Sequence, residues 1–149
     1  MGAGVIGIHH TSRTVSDMDR SLGFYRDLVG LEVVLDTEMS GPMLEAEVGL
    51  EGAHLRLVAL GTGDGQPMVE LLQYLSPDPA DAPTRPCDVG AHHIAVRVAD
   101  IDAAYRSLTE AGVRFTAPPQ EVDAGYFAGH WTAYCFDPDD MVLELWQTA

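Results

Sequence analysis

A chain of 149 residues, 46% apolar and 21% charged, has the balance of a globular protein, either one domain or two small halves sharing a core. Its formal charge of −15 offers nothing to replace phosphate counterions, which excludes nucleic acid as a partner, and no run reaches the roughly 20 apolar residues of a membrane span. The start "MGAGVIGIHH" has no basic stretch ahead of an apolar run, and Ile6 stands where lipidation at Gly2 requires Ser or Thr, so a cytoplasmic protein is expected. Cys87 and Cys135 have neither metal-type spacing nor a disulfide framework and read as reduced thiols.

Along the chain, "VIGIHHTSRTV" has the alternating, β-branched character of a strand. Asp17 then suits a helix N-cap, and "MDRSLGFYRDLVG" sets Met18, Leu22, Tyr25 and Leu28 on one helical face before Gly30 ends it. Three strand-like runs follow, near 32–38, 53–60 and 68–75, with turns at "SGP" and "GTGDGQP". The stretch "SPDPADAPTRPCDVG", with four prolines, reads as a linker. The pattern then recurs. "VGAHHIAVRV" is a strand, Asp100 a cap, and "IDAAYRSLTEAG" a helix ending at Gly112, followed by runs near 114–116, 130–136 and 141–146. The last two are joined by "DPDD", where Asp140 predicts strain or an altered turn.

The chain therefore reads as α+β: two tandem βαβββ modules, 1–75 and 90–149, joined by a linker over 76–89 and forming a cupped mixed sheet. "GIHHTSRTVSDMD" and "GAHHIAVRVADID" are the same phrase written twice. His10 and Glu70 are 60 residues apart, and His93 and Glu144 are 51 apart. The copies thus differ by nine residues, which "LEAEVGLEG" or "GTGDGQP" can absorb. Strand alternation assigns Ile94, Val96 and Val98 to a packed face, which leaves His93, Ala95 and Arg97 facing the cup; His10 follows by the repeat, while His9 and His92 face away. A carboxylate within an apolar strand, as Glu70 in "MVELLQYL" and Glu144 in "MVLELWQ", needs a partner or a metal. Two imidazoles and two carboxylates at matched positions suit one divalent ion: Zn, Ni, Co, Mn or Fe. His54 and His130 have no repeat partner and read as surface or hydrogen-bonded histidines.

These segments, together with "FYRDLVGLEVV" and "FDPDDMVLEL", resemble the vicinal oxygen chelate superfamily, which includes glyoxalase I, methylmalonyl-CoA epimerase, extradiol dioxygenases and the fosfomycin and bleomycin resistance proteins. The resemblance covers nearly the whole chain. It implies paired βαβββ modules around a metal held by His10, Glu70, His93 and Glu144, and a homodimer. The His-Glu-His-Glu set is similar to that of bacterial glyoxalase I. However, Thr14 and Tyr74 stand where that branch carries the arginine and asparagine that grip glutathione. Leu55, between His54 and Arg56, stands where the epimerases carry a catalytic glutamate.

The expected activity is that of an isomerase or lyase, moving a proton next to a metal-chelated carbonyl of a small substrate that is not a glutathione adduct. The base is Glu144 or Glu70, or His54 if its strand turns it inward. Tyr74, Trp146, Arg97 and Arg56 are expected to meet substrate. A ring-cleaving dioxygenase with iron, and a non-catalytic binder of a natural product or antibiotic, are the alternatives.

Overall fold

The computed structural model describes residues 4–80, 85–87 and 89–149. They divide into two units, Met1–Ala80 and Asp81–Ala149, each built on its own four-stranded sheet. Of the expected linker, residues 81–84 and 88 lie outside the described residues, as do residues 1–3 at the start. No helix among the described residues is long and apolar enough to cross a membrane.

The first unit runs β1 (Thr11–Thr14), α1 (Met18–Leu22, continuing as a π-helical turn over Gly23–Leu28), β2 (Glu32–Ser40), α2 (Pro42–Val48), β3 (His54–Gly61) and β4 (Val69–Ser76). The second runs β5 (Ile94–Arg97), α3 (Ile101–Glu110), β6 (Gln120–Glu121), β7 (Trp131–Phe136) and β8 (Val142–Gln147). Strand order is β1-β4-β3-β2 in one and β5-β8-β7-β6 in the other. In both, the first strand lies parallel to the last and every other pair is antiparallel.

The helices α1 and α3 are fixed by the same two devices. The side chains of Asp17 and Asp100 accept from the amides of Arg20 and Ala103, at 3.0 and 2.8 Å, which satisfies donors that the first turn leaves open. Gln73 on β4 and Gln147 on β8 accept from the amides of Met18 and Ile101, at 3.1 and 2.7 Å, and so tie each helix to the last strand of its sheet. Beneath α3, Ile101 and Leu108 pack with Ala133 and Leu145, and Val96 and Val98 lie against them. Each fully buried side chain of this kind contributes about 1.5–3 kcal/mol.

The first helix departs from the expected face. Met18, Leu22 and Tyr25 are buried, but Leu28 is exposed and Phe24 is buried instead. The amide of Val29 bonds to the carbonyl of Phe24, five residues back. This wider turn rotates everything after Gly23 and brings Phe24 in while Leu28 swings out. Under this turn Arg13 of β1 is buried, donating to the Tyr25 hydroxyl at 2.9 Å.

Two further differences concern the segments after the helices. The expected third element at 114–116 makes only an isolated bridge, Phe115 to Cys135, and the strand proper is Gln120–Glu121. Pro118 and Pro119 lie between and cannot donate to a ladder. In the first unit a helix, α2, fills part of the stretch expected to absorb the extra residues. Pro42 opens it, Leu44 and Val48 share a face, and left-handed Gly49 (φ 71°) closes it, its amide bonding Glu45 at 2.9 Å.

Candidate functional site

The face of each sheet opposite α1 or α3 carries the ligand-type residues. In the first unit, Ser12 pairs with Glu70, and in the second Ala95 pairs with Glu144. His10 and His93 each stand two residues before those partners, one residue short of the strand. A two-residue step returns to the same face. His10 Nε2 accordingly lies 3.3 Å from Glu70 Oε2, and His93 Nε2 lies 3.1 Å from Glu144 Oε2. The repeat has thus built one His–Glu pair twice in identical register. Among the described residues no third His, Cys, Asp or Glu joins either pair within its unit.

The two pairs differ in their surroundings. Glu144 is 9% exposed at its side chain, and its Oε1 accepts from the Thr132 hydroxyl at 2.5 Å. Tyr134, paired with Glu144 across β7 and β8, brings its hydroxyl 3.4 Å from His93 Nε2. Burial first, and then the neighbouring Glu144 carboxylate, raise the Tyr134 pKa above its ordinary value of 10.0, so the phenol stays protonated and can donate. Glu70 is 19% exposed and faces Ala59 across β3 and β4, where no hydroxyl is on offer. Its companion His10 has its Nδ1 engaged by His9 Nδ1 at 2.8 Å.

Neither His9 nor His92 turns away as strand alternation predicts. His9 packs edge-on against His10, and His92 lines a hollow with His93, Pro86, Ala91, Tyr134 and Val142. The reason is local: His9 and His92 lie two residues ahead of their strands, where no sheet pairing fixes their direction.

Three expected contributors are placed elsewhere. Arg56 pairs with Gln73 in register, on the helix side of the sheet, and is held by Asp36 (2.9 and 2.8 Å) and Asp19 (2.9 Å). Those two carboxylates keep its pKa raised. His54 lies two residues away on the same side, its Nε2 3.0 Å from Glu38, so its strand does not turn it toward Glu70. Tyr74 shares the face of Glu70 but packs with Leu44, Leu55 and Val48 beneath α2. Arg97 and Trp146 are register partners on the face of Glu144, and Arg97 is exposed. Thr132, Tyr134 and His130 were not identified from sequence as site residues. The signal for the first two was the alternation in "WTAYCF", once its partner strand was known.

Residues 7–145 match the family described as the Glyoxalase/Bleomycin resistance protein/Dioxygenase superfamily. Over 145 residues, 95% of the chain and 79% of the relative, the sequence is 30% identical to 2-epi-5-epi-valiolone epimerase of Actinomyces sp. A glyoxalase family protein of Bacillus cereus superposes with a TM-score of 0.78 over 99% of both chains at 21% identity. The fosfomycin resistance protein FosX of Listeria monocytogenes, solved with Mn(II) and sulfate, does so at 0.58 over 97% of this chain and 94% of its own, at 14% identity. The family thus includes proteins that bind a divalent metal. With a match across almost its full length and the same two-module fold, the chain belongs to the Glyoxalase/Bleomycin resistance protein/Dioxygenase superfamily.

Proposed function

We propose that the protein is a metal-dependent isomerase that moves a proton on the carbon beside a ketone of a small substrate with neighbouring oxygens. The observation that carries the proposal is the duplicated pair, His10 with Glu70 and His93 with Glu144, in matched register. Ligand bonds of about 2.0–2.2 Å separate adjacent ligand atoms by about 3 Å. The gaps of 3.3 and 3.1 Å therefore suit two ligands of one ion. Contacts behind the ligands also fit, since His9 engages His10 and Thr132 engages Glu144, as outer-shell partners orient metal ligands. His10, Glu70, His93 and Glu144 would hold the ion. When bound, it supplies positive charge beside the substrate oxygens and eases loss of the neighbouring proton.

The residues divide the remaining work. Glu144, fixed by Thr132 and buried, is the anchored carboxylate. Glu70, more exposed and with no counterpart of Thr132 beside it on β3, is the carboxylate that reorients and takes up the proton. Tyr134 donates toward the site as a neutral phenol. Arg97 supplies a cation on the face of Glu144 for an anionic substrate group. The similarity to an epimerase over 95% of the chain supports proton removal and return at carbon. Thr14 and Tyr74 support a substrate other than a glutathione adduct, because Thr14 is uncharged and Tyr74 is packed under α2. A homodimer belongs to the same proposal, and light scattering that reports a monomer at micromolar concentration would remove it.

The test uses metal-loaded protein with 2-epi-5-epi-valiolone in D₂O, following deuterium at the carbon beside the ketone by NMR. Wild type should exchange it. Glu70→Gln should lose about a hundredfold or more in rate, with metal content kept near wild type. His93→Ala should lower metal content and thermal stability together. Unchanged metal content in His93→Ala would sink the ligand assignment, and rapid turnover of the glutathione–methylglyoxal hemithioacetal would sink the substrate class.

A further inference from the structure

The two sheets differ in what covers their ligand-bearing faces. In the first unit, Leu72, two residues past Glu70, is packed under α2 with Leu44 and Leu55. In the second, the corresponding position two past Glu144 is Trp146, and no helix joins β6 to β7. The segment there, "VDAGYFAGH", brings Phe127 to 5.2 Å from Trp146 at an interplanar angle of 82°. His130 stands 5.3 Å from the indole at 60° and 5.7 Å from Phe127 at 61°. No ring of this cluster is stacked flat on another. Phe127 is 49% exposed, so its ring is accessible from solvent.

The polar contact inside the cluster fixes its chemistry. Trp146 Nε1 donates to His130 Nδ1 at 3.1 Å. An indole nitrogen can only donate, so Nδ1 of His130 must accept, and in the neutral ring the proton sits on Nε2. The ring therefore presents one N–H donor whose tautomer is set by its neighbour, and among the described residues nothing hydrogen-bonds to that nitrogen. Two residues of strand place the indole about 7 Å along the sheet from Glu144, with the His130 donor beyond it. Arg97, the register partner of Trp146, adds further donors on the same face. An angled set of aromatic rings bordered by donors suits a ring whose faces are C–H and whose rim bears oxygens.

We propose that Trp146, Phe127 and His130 form a ring-binding subsite that takes a polyhydroxylated, non-aromatic six-membered ring, with one ring hydroxyl accepting the Nε2–H of His130. The subsite deepens the proposed function, and rests on it only in placing the metal-bound end of the substrate beside Glu144. His130 is then a positioning residue that selects cyclic substrates over open-chain ones.

The experiment uses the Trp131→Phe background, so that Trp146 is the sole tryptophan, and metal-loaded protein. A pentahydroxycyclohexanone is titrated against dihydroxyacetone, which carries the same ketone–hydroxyl arrangement without a ring. The cyclic probe should shift Trp146 emission saturably, and dihydroxyacetone should not at the same concentration. His130→Phe, which keeps a flat ring but loses both nitrogens, should weaken the cyclic probe about tenfold. Phe127→Ala, at a half-exposed position, should weaken it severalfold while leaving circular dichroism unchanged. Equal response to both probes, or both variants binding within twofold of their parent, would overturn the subsite. Deuterium exchange is read in the same samples and separates the two readings. Ring-dependent binding without exchange leaves the subsite standing and defeats the isomerase. Exchange with Trp146 silent and His130→Phe unaffected in KM does the reverse.

Discussion

Replacing Thr132 by valine removes one hydroxyl and almost no volume, and it tests whether Glu144 is an anchored carboxylate. The hydroxyl lies 2.5 Å from Glu144 Oε1, and Glu144 is 7% exposed. A hydrogen bond to a charged group contributes about 1.5–3 kcal/mol, and stranding its acceptor incurs the desolvation cost of the group. Valine returns a few tenths through its strand preference and added apolar surface. The net expectation is a loss of about 2 kcal/mol, or about 4–8 °C in Tm for a chain of this size. Urea unfolding followed by far-ultraviolet circular dichroism, in chelator so that metal affinity does not contribute, measures it. Thr132→Ser keeps the donor and should stay within about 1 kcal/mol of wild type. In the Glu144→Gln background the cost of Thr132→Val should fall by more than half, since the charge that strengthens the bond is gone. A loss under about 0.5 kcal/mol for Thr132→Val, or an equal loss for Thr132→Ser, would refute the anchoring.

Arg56 holds the Asp36 carboxyl below its ordinary value of 3.8, chiefly through the paired hydrogen bonds. A lowered folded-state value gives stability that is present above about pH 4 and is lost as pH falls below it. Asp36→Asn should flatten the acid limb of stability between about pH 4 and 2, and an unchanged limb would show that the pair is silent. Asp140 occupies the left-handed region at φ 62° in the turn after β7, paired with Arg114. Asp140→Ala and Asp140→Gly lose that pair equally, but only alanine meets the backbone penalty, so alanine should be less stable by about 1 kcal/mol in urea. Matching stabilities would mean the turn rearranges. A Cβ at Gly61 would collide with the carbonyl oxygen of Gln66 and press on Val34. Gly61→Ala should therefore cost about 1–3 kcal/mol, and a neutral result would show that the segment after β3 yields freely.

The duplicated phrase was enough to give the module, because strand alternation, an aspartate cap and a closing glycine are local signals, and two copies confirm each other. His10, Glu70, His93 and Glu144 stood out as candidates for the same reason, since a ligand-type residue at one position gains meaning when its counterpart recurs, and the structure sets them as two His–Glu pairs. What failed lay where chain geometry departs from regular periods. The π-helical turn after Gly23 re-phased the first helix and exposed Leu28, and no propensity rule marks a wider turn. His9 and His92 lie two residues ahead of their strands, beyond the reach of sheet pairing, so alternation did not place them. Only the sheet register could show that His54 and Arg56 face the helix side, or that Thr132 and Tyr134 stand beside Glu144, because which residue lies across from which is set by pairing between distant segments. Composition and charge framed the expectations about partners, and the repeat picked out the candidate ligand positions along the chain. Tertiary packing alone decided that one sheet face is closed by α2 while the other presents Trp146, Phe127 and His130, since two copies of one phrase can carry quite different inserts between the same strands.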